Sequence, residues 1–206
     1  MENSINRRKT LQCLALAMGA AIIPTYADAE TFQIGTSDFL EPDPTKPIHI
    51  KSGEGKKGKI GEGDIIAKFD KSQTNGHLGI GEFTLPVGLL GAPPHFHKGF
   101  DEICRVTQGT ITIMVGDEIF EVKEGDWHLR PKGIVHTFWN NGTQPAKFIE
   151  VYTPGGHESY MDELSNLFIN NQRPKPGDLE LLAKKYDITF EWSKLKNIMD
   201  TYKVHL

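Results

Sequence analysis

Residues 88–140 read GLLGAPPHFHKGFDEICRVTQGTITIMVGDEIFEVKEGDWHLRPKGIVHTFWN. His95 and His97 stand two apart in a segment of extended character, and side chains alternate faces along a strand, so both imidazoles point to one side. Glu102 follows after a short loop at Gly99. His136 arrives after two further turns, at Gly116-Asp117 and Glu124-Gly125. Three neutral nitrogen donors and one carboxylate can then meet on a single divalent ion, with bonds of about 2.0–2.2 Å. His95, His97, Glu102 and His136 are therefore the candidate metal ligands.

The spacing resembles the two motifs of the cupin superfamily. His95, His97, Glu102 and Gly109 match the first, and Gly125, Pro131, Gly133, His136 and Asn140 match the second. One departure stands at the start, where the glycine of the entry loop is displaced: position 89 is Leu, flanked by Gly88 and Gly91. The two motifs cover about a quarter of the chain. A looser similarity to small quercetin dioxygenase-like cupins runs from Gly63 through Thr153-Pro154-Gly155-Gly156 to the end. The resemblance implies an all-β double-stranded β-helix, or jelly roll, with Glu102 serving both as ligand and as the base that takes a substrate proton.

The flanking sequence reads as strand on both sides. Ile65 to Phe69, Leu78 to Leu85 with its internal Gly79 and Gly81, Gly109 to Val115, Ile119 to Val122 and Phe148 to Tyr152 are separated by turn residues, as in a barrel or sandwich. Ile48-His49-Ile50 reads as a short edge strand, and the Gly/Lys-rich stretch Lys51 to Gly63 as solvated loop. After Gly156 the period becomes helical. Ser159 is placed to cap a helix carrying Met161, Leu164 and Phe168, with Asp162 in capping-box position, and Asp178 starts a second helix carrying Leu182 and Tyr186. The expected organisation is a leader (1–29), a connector with an edge strand (30–63), the barrel (64–156) and a C-terminal helical region (157–206).

The leader is read from Arg7-Arg8-Lys9, an apolar run from Leu14 to Ile23 too short for a membrane span, and the small residues Ala27-Asp28-Ala29. Paired arginines before a mildly apolar run resemble a twin-arginine signal, with the general secretory route as the rival, so a periplasmic or secreted protein is expected. The whole chain has a formal charge of −4, and the leader carries three cations against two acids, which leaves −5 for the rest. An acidic domain without a helix-turn-helix segment is a poor partner for nucleic acid. After Ala29 one cysteine remains, Cys104, so no internal disulfide forms and stability must come from a core, for which a chain of about 175 residues is long enough.

Four protein ligands leave two open positions on an octahedral ion, as a reactive site requires. Nitrogen and oxygen donors suit a divalent transition metal, with Fe or Mn favoured for a protein loaded in the cytoplasm and Ni, Zn or Cu also compatible. The leading reading is an exported, metal-dependent oxygenase of dioxygenase type acting on a small phenolic or enolisable compound. A metal-dependent isomerase or lyase and a non-enzymatic small-ligand-binding cupin are the alternatives; a phosphosugar version of the former needs a cationic cluster that Lys98, Arg105, Arg130 and Lys132 do not form in sequence. Pairing into a homodimer is expected from the resemblance. Alternation puts Phe138 and Asn140 on the face of His136 and Trp139 on the other. Cys104 shares the face of Glu102 and reads first as a small buried apolar residue, and His128 as structural or exposed.

Overall fold

The computed structural model describes residues 43–169, 174–175 and 177–206, so the leader at residues 1–29 lies outside the described part. Ten strands come first: β1 (Lys56–Ile60), β2 (Gly63–Phe69), β3 (Gly79–Leu85), β4 (His95–His97), β5 (Asp101–Gln108), β6 (Thr110–Val115), β7 (Glu118–Lys123), β8 (Trp127–Arg130), β9 (His136–Trp139) and β10 (Ala146–Thr153). Then follow α1 (His157–Leu167), α2 (Asp178–Lys185), β11 (Ile188–Phe190) and α3 (Trp192–Tyr202). The strands form two antiparallel sheets, ordered β1-β2-β3-β10-β5-β8 and β11-β4-β9-β6-β7. This is the all-β double-stranded β-helix with C-terminal helices that the motifs imply.

The interior is divided by period-two alternation. On β5, Glu102, Cys104 and Val106 turn inward, and on β10, Ala146, Phe148, Glu150 and Tyr152 do the same. Register sets Tyr152 opposite Glu102, Glu150 opposite Cys104 and Phe148 opposite Val106. One end of the barrel is therefore polar. The other is closed by Leu85, Val106, Ile111, Ile113, Val122 and Phe148, which pack as one core with Cys104.

Strand β6 buries Ile111 through Met114 without alternation, because both of its faces are covered. Its outer face meets α3, where Met114 and Trp139 pack with Leu90, Ile198 and Val204. Trp139 is fully buried and its ring centroid lies 4.4 Å from that of Tyr202. It is thus on the face opposite Phe138, as expected. Neither α3 nor β11 is anticipated from the sequence; β11 pairs with the ligand-bearing strand β4, setting Ile188 opposite His97 and Phe190 opposite His95.

Two local expectations are corrected. Ile48-His49-Ile50 forms no strand, and the edge strand is the Lys/Gly-rich β1, paired in full with β2. A charged, exposed strand is what a free sheet edge tolerates, and pairing outweighs the poor propensity of its residues. The first helix starts at His157 with Gly156 as N-cap, and no side chain caps it. Glu158 supplies the compensation: its carboxylate accepts the Gly156 N–H at 2.8 Å and the Lys71 N–H at 2.9 Å. Gly79 on β3 is the close approach anticipated for that glycine, since a Cβ there would stand 2.2 Å from Glu158 Oε2.

Candidate metal centre

Strands β4 and β9 lie side by side with His95 opposite His136, and the three buried residues His95, His97 and His136 form a group able to hold a metal ion, their ligand atoms all within 4.8 Å of one another. Each ring is oriented by a backbone carbonyl near its own strand. His95 Nδ1 pairs with Pro93 O at 2.8 Å, His97 Nδ1 with Phe100 O at 2.9 Å and His136 Nδ1 with Ile134 O at 2.9 Å. A carbonyl only accepts, so Nδ1 holds the proton and Nε2 keeps a lone pair. Second-partner bonding of this kind fixes the tautomer of a metal ligand.

Glu102 closes the group. Its Oε2 lies 3.3 Å from His136 Nε2 and its Oε1 3.6 Å from His97 Nε2. Atoms on adjacent corners of an octahedron with bonds of about 2.1 Å are about 3 Å apart, so these separations suit neighbouring ligands. The tautomers sharpen the point. His97 Nε2 and His136 Nε2 are sealed from solvent without a hydrogen-bond partner, and as bare nitrogens facing a carboxylate they repel it. A cation among them removes the conflict, and the three histidines, with Glu102 beside two of them, therefore suit a divalent metal.

Behind Glu102 stands Arg130, 1% exposed, its Nη1 3.0 Å from Glu102 Oε2 and its Nη2 in contact with Glu150. Burial works to raise the Glu102 carboxyl, but the guanidinium outweighs it and holds the group well below the usual carboxylate range. Glu150 goes the other way: burial, with the Glu102 charge nearby, raises its pKa against the pull of the same guanidinium. One cation thus serves two carboxylates, and Glu102 is the ionised member. His95 is driven well below the normal imidazole range, by burial first and by His136 second, which keeps it neutral as a ligand must be.

His157 completes the wall from outside the barrel strands. It is the first residue of α1, and its Nε2 points to Glu102 Oε1 at 3.7 Å. Burial pushes its pKa down to about 3. Cys104 is wholly buried in the core, and burial raises its thiol pKa. His128 is half-buried on β8, edge-on to Phe120, with its pKa lowered to about 4 by burial. His49 and His77 are exposed. Asn140 is structural: its Nδ2 donates to Leu85 O and Gln144 O, and its Oδ1 accepts the Gly142 N–H. Glu150 and His157 are site residues that sequence reading passes over, and Arg130 is one it names only among scattered cations.

A cavity of about 530 Å³ opens on this cluster. His95, Glu102, Arg130, Glu150 and His157 line its polar end, and Phe83, Leu90, Phe138, Leu164 and Phe190 are among its apolar walls. Among the described residues on its lining, Arg130 is the one permanent cation. The displaced glycine of the entry loop has its role here: Gly91 donates its N–H to Phe138 O at 2.8 Å, and a Cβ on it would stand 2.0 Å from the Phe138 ring.

Residues 81–152 match the family described as Cupin domain. An uncharacterized protein of Aquifex aeolicus (strain VF5) is 33% identical over 73 residues, 34% of this chain and 60% of the relative, so the chain spans less than two thirds of that protein's length. Among solved structures, KdgF from Halomonas sp. covers 55% of this chain and 99% of its own at 17% identity, with a TM-score of 0.48. A predicted oxalate decarboxylase of Thermotoga maritima covers 52% and 99% at 19% identity, with a TM-score of 0.47. A sugar phosphate isomerase from a cupin superfamily of Silicibacter pomeroyi covers 44% and 59% at 24% identity, with a TM-score of 0.38. No helix among the described residues is long and apolar enough to cross a membrane. Both motifs thus lie on strands of a double-stranded β-helix, and the match to the cupin domain family runs over the same stretch, residues 81–152.

Proposed function

We propose that the protein is a metal-dependent oxygenase that acts on a small phenolic or enolisable compound, with His95, His97, His136 and Glu102 holding the ion. A divalent transition metal there supplies Lewis-acid polarisation of a substrate oxygen, lowering the pKa of its proton, and in the form of iron or manganese it supplies electrons to dioxygen. The residues provide the rest. Glu102, ionised and backed by Arg130, receives the proton through Oε1, the oxygen turned away from the guanidinium. The phenylalanines and leucines of the wall hold an apolar body and exclude water, which strengthens each polar contact at the far end.

The observation that carries this choice is the engagement of Arg130. A phosphorylated sugar needs a cation free to meet its phosphate, and the guanidinium on the cavity wall is already shared by Glu102 and Glu150. The lining thus favours a compound with an apolar body and few oxygens over a phosphosugar isomerase substrate. Oxygen uptake by iron- or manganese-loaded protein with flavonols, catechols and diketones tests the proposal. Consumption above the metal-free control supports it; none across the panel, with ligand retained, leaves a binding protein.

Export through the leader at residues 1–29 belongs to the same proposal, and N-terminal sequencing of protein recovered outside the cytoplasm tests it by a start at Glu30. Homodimer formation is proposed too, supported by exposed Ile119, Phe120, Trp127 and Leu129 on β7 and β8, and is read by light scattering.

A further inference from the structure

His157 differs from the three histidines of the candidate metal centre in what holds it. Their rings are set by backbone carbonyls; its Nδ1 is sealed without any partner. Its plane is fixed instead by aromatic neighbours, with ring centroids 4.6 Å from Tyr152, 4.9 Å from Phe100 and 5.1 Å from Tyr160. The residue is 6% exposed and lines the cavity. Its Nε2 faces Glu102 Oε1 across 3.7 Å, beyond hydrogen-bond length. The carboxylate settles the tautomer, because the proton belongs on the nitrogen that faces negative charge. A buried imidazole that serves only the fold has its polar atoms paired; this one is locked in place with its donor beside the metal cluster and no acceptor within reach.

We propose that His157 contacts the substrate, its Nε2–H donating to a second oxygen of the compound whose first oxygen is directed at His95, His97 and His136. This rests on the phenolic or enolisable reading of the site and adds a requirement to it: two oxygens on neighbouring or next-neighbouring carbons. Glu102 and His157 then form an acceptor and a donor side by side. The specificity element comes from α1, outside the stretch that matches the cupin family.

The test uses the zinc-loaded protein, in which binding proceeds without oxidation, with 4-nitrocatechol and 4-nitrophenol as two-oxygen and one-oxygen probes followed by absorbance. His157→Phe keeps the aromatic packing and removes the donor; His157→Gln keeps a donor and removes the ring. Expected results are 4-nitrocatechol binding weakened about tenfold in H157F and largely recovered in H157Q, 4-nitrophenol within about twofold throughout, and an unchanged zinc content. Should H157F not fold, H157L carries the same comparison. Equal 4-nitrocatechol affinity in wild type and H157F overturns the assignment, as does equal weakening of both probes. Zinc lost in H157F also overturns it, by making His157 a ligand. If neither probe binds the wild type, the phenolic reading fails and the role of His157 falls with it; tight binding indifferent to H157F removes His157 alone.

Discussion

Arg130 Nη1 lies 3.0 Å from Glu102 Oε2 inside the barrel, and the same guanidinium touches Glu150 on β10. All three residues are 4% exposed or less, so their charges are balanced by one another and hardly by water. Removing one member of such a group is worse than never having built it. Arg130→Met leaves the buried, ionised Glu102 without its counter-charge and Glu150 without its partner, and is expected to cost about 3–5 kcal/mol in urea denaturation. A loss below about 1 kcal/mol would show that the guanidinium does not balance them.

Glu102 is asked to do more than pair with Arg130. Glu102→Gln keeps the shape and removes the charge, so the barrel should stay folded while metal affinity falls by at least about tenfold in competition with a chelator. Unchanged affinity would place Glu102 outside the ligand set.

Glu150 carries a pH signature. Its folded pKa is raised to about 8 by burial, above the ordinary 4.5, so the folded state holds a proton that the unfolded state has lost between those values. The contribution is present in full below about 4.5 and fades as pH rises toward about 8. Melting of the chelator-treated wild type should weaken across this window relative to Glu150→Gln, which cannot ionise. Parallel curves for the two proteins would deny the raised pKa.

Gly91 and Phe138 pack against each other on the cavity wall. A Cβ at residue 91 would stand 2.0 Å from the Phe138 ring, so Gly91→Ala must push that ring or the loop aside. A loss of about 1–3 kcal/mol is expected from denaturation, with metal content intact because no ligand is displaced.

The cluster of three histidines was legible because two short-range rules act on it: alternation puts His95 and His97 on one face, and turn residues return His136 to the neighbouring strand. Glu150 was legible in principle, since Phe148, Glu150 and Tyr152 alternate on β10 with an apolar inner face, which places a carboxylate in the interior. Arg130 entered the sequence reading only as one of four scattered cations, because its place beside Glu102 depends on the pairing of β8 with β5. His157 carries no periodic signal; its place depends on how α1 docks. For β11, three residues hold no periodicity of their own, and only pairing with β4 defines the strand. Ser159 failed as a cap because Gly156 let the helix begin earlier, with Glu158 turned back onto the N-terminus.

The most direct test of the metal centre is elemental analysis of the protein purified without chelator, alongside His97→Ala. The expected result is about one iron or manganese per chain in the wild type, lost in H97A while circular dichroism shows the barrel intact. A folded wild type without metal, or an H97A protein that keeps its metal in full, would contradict it.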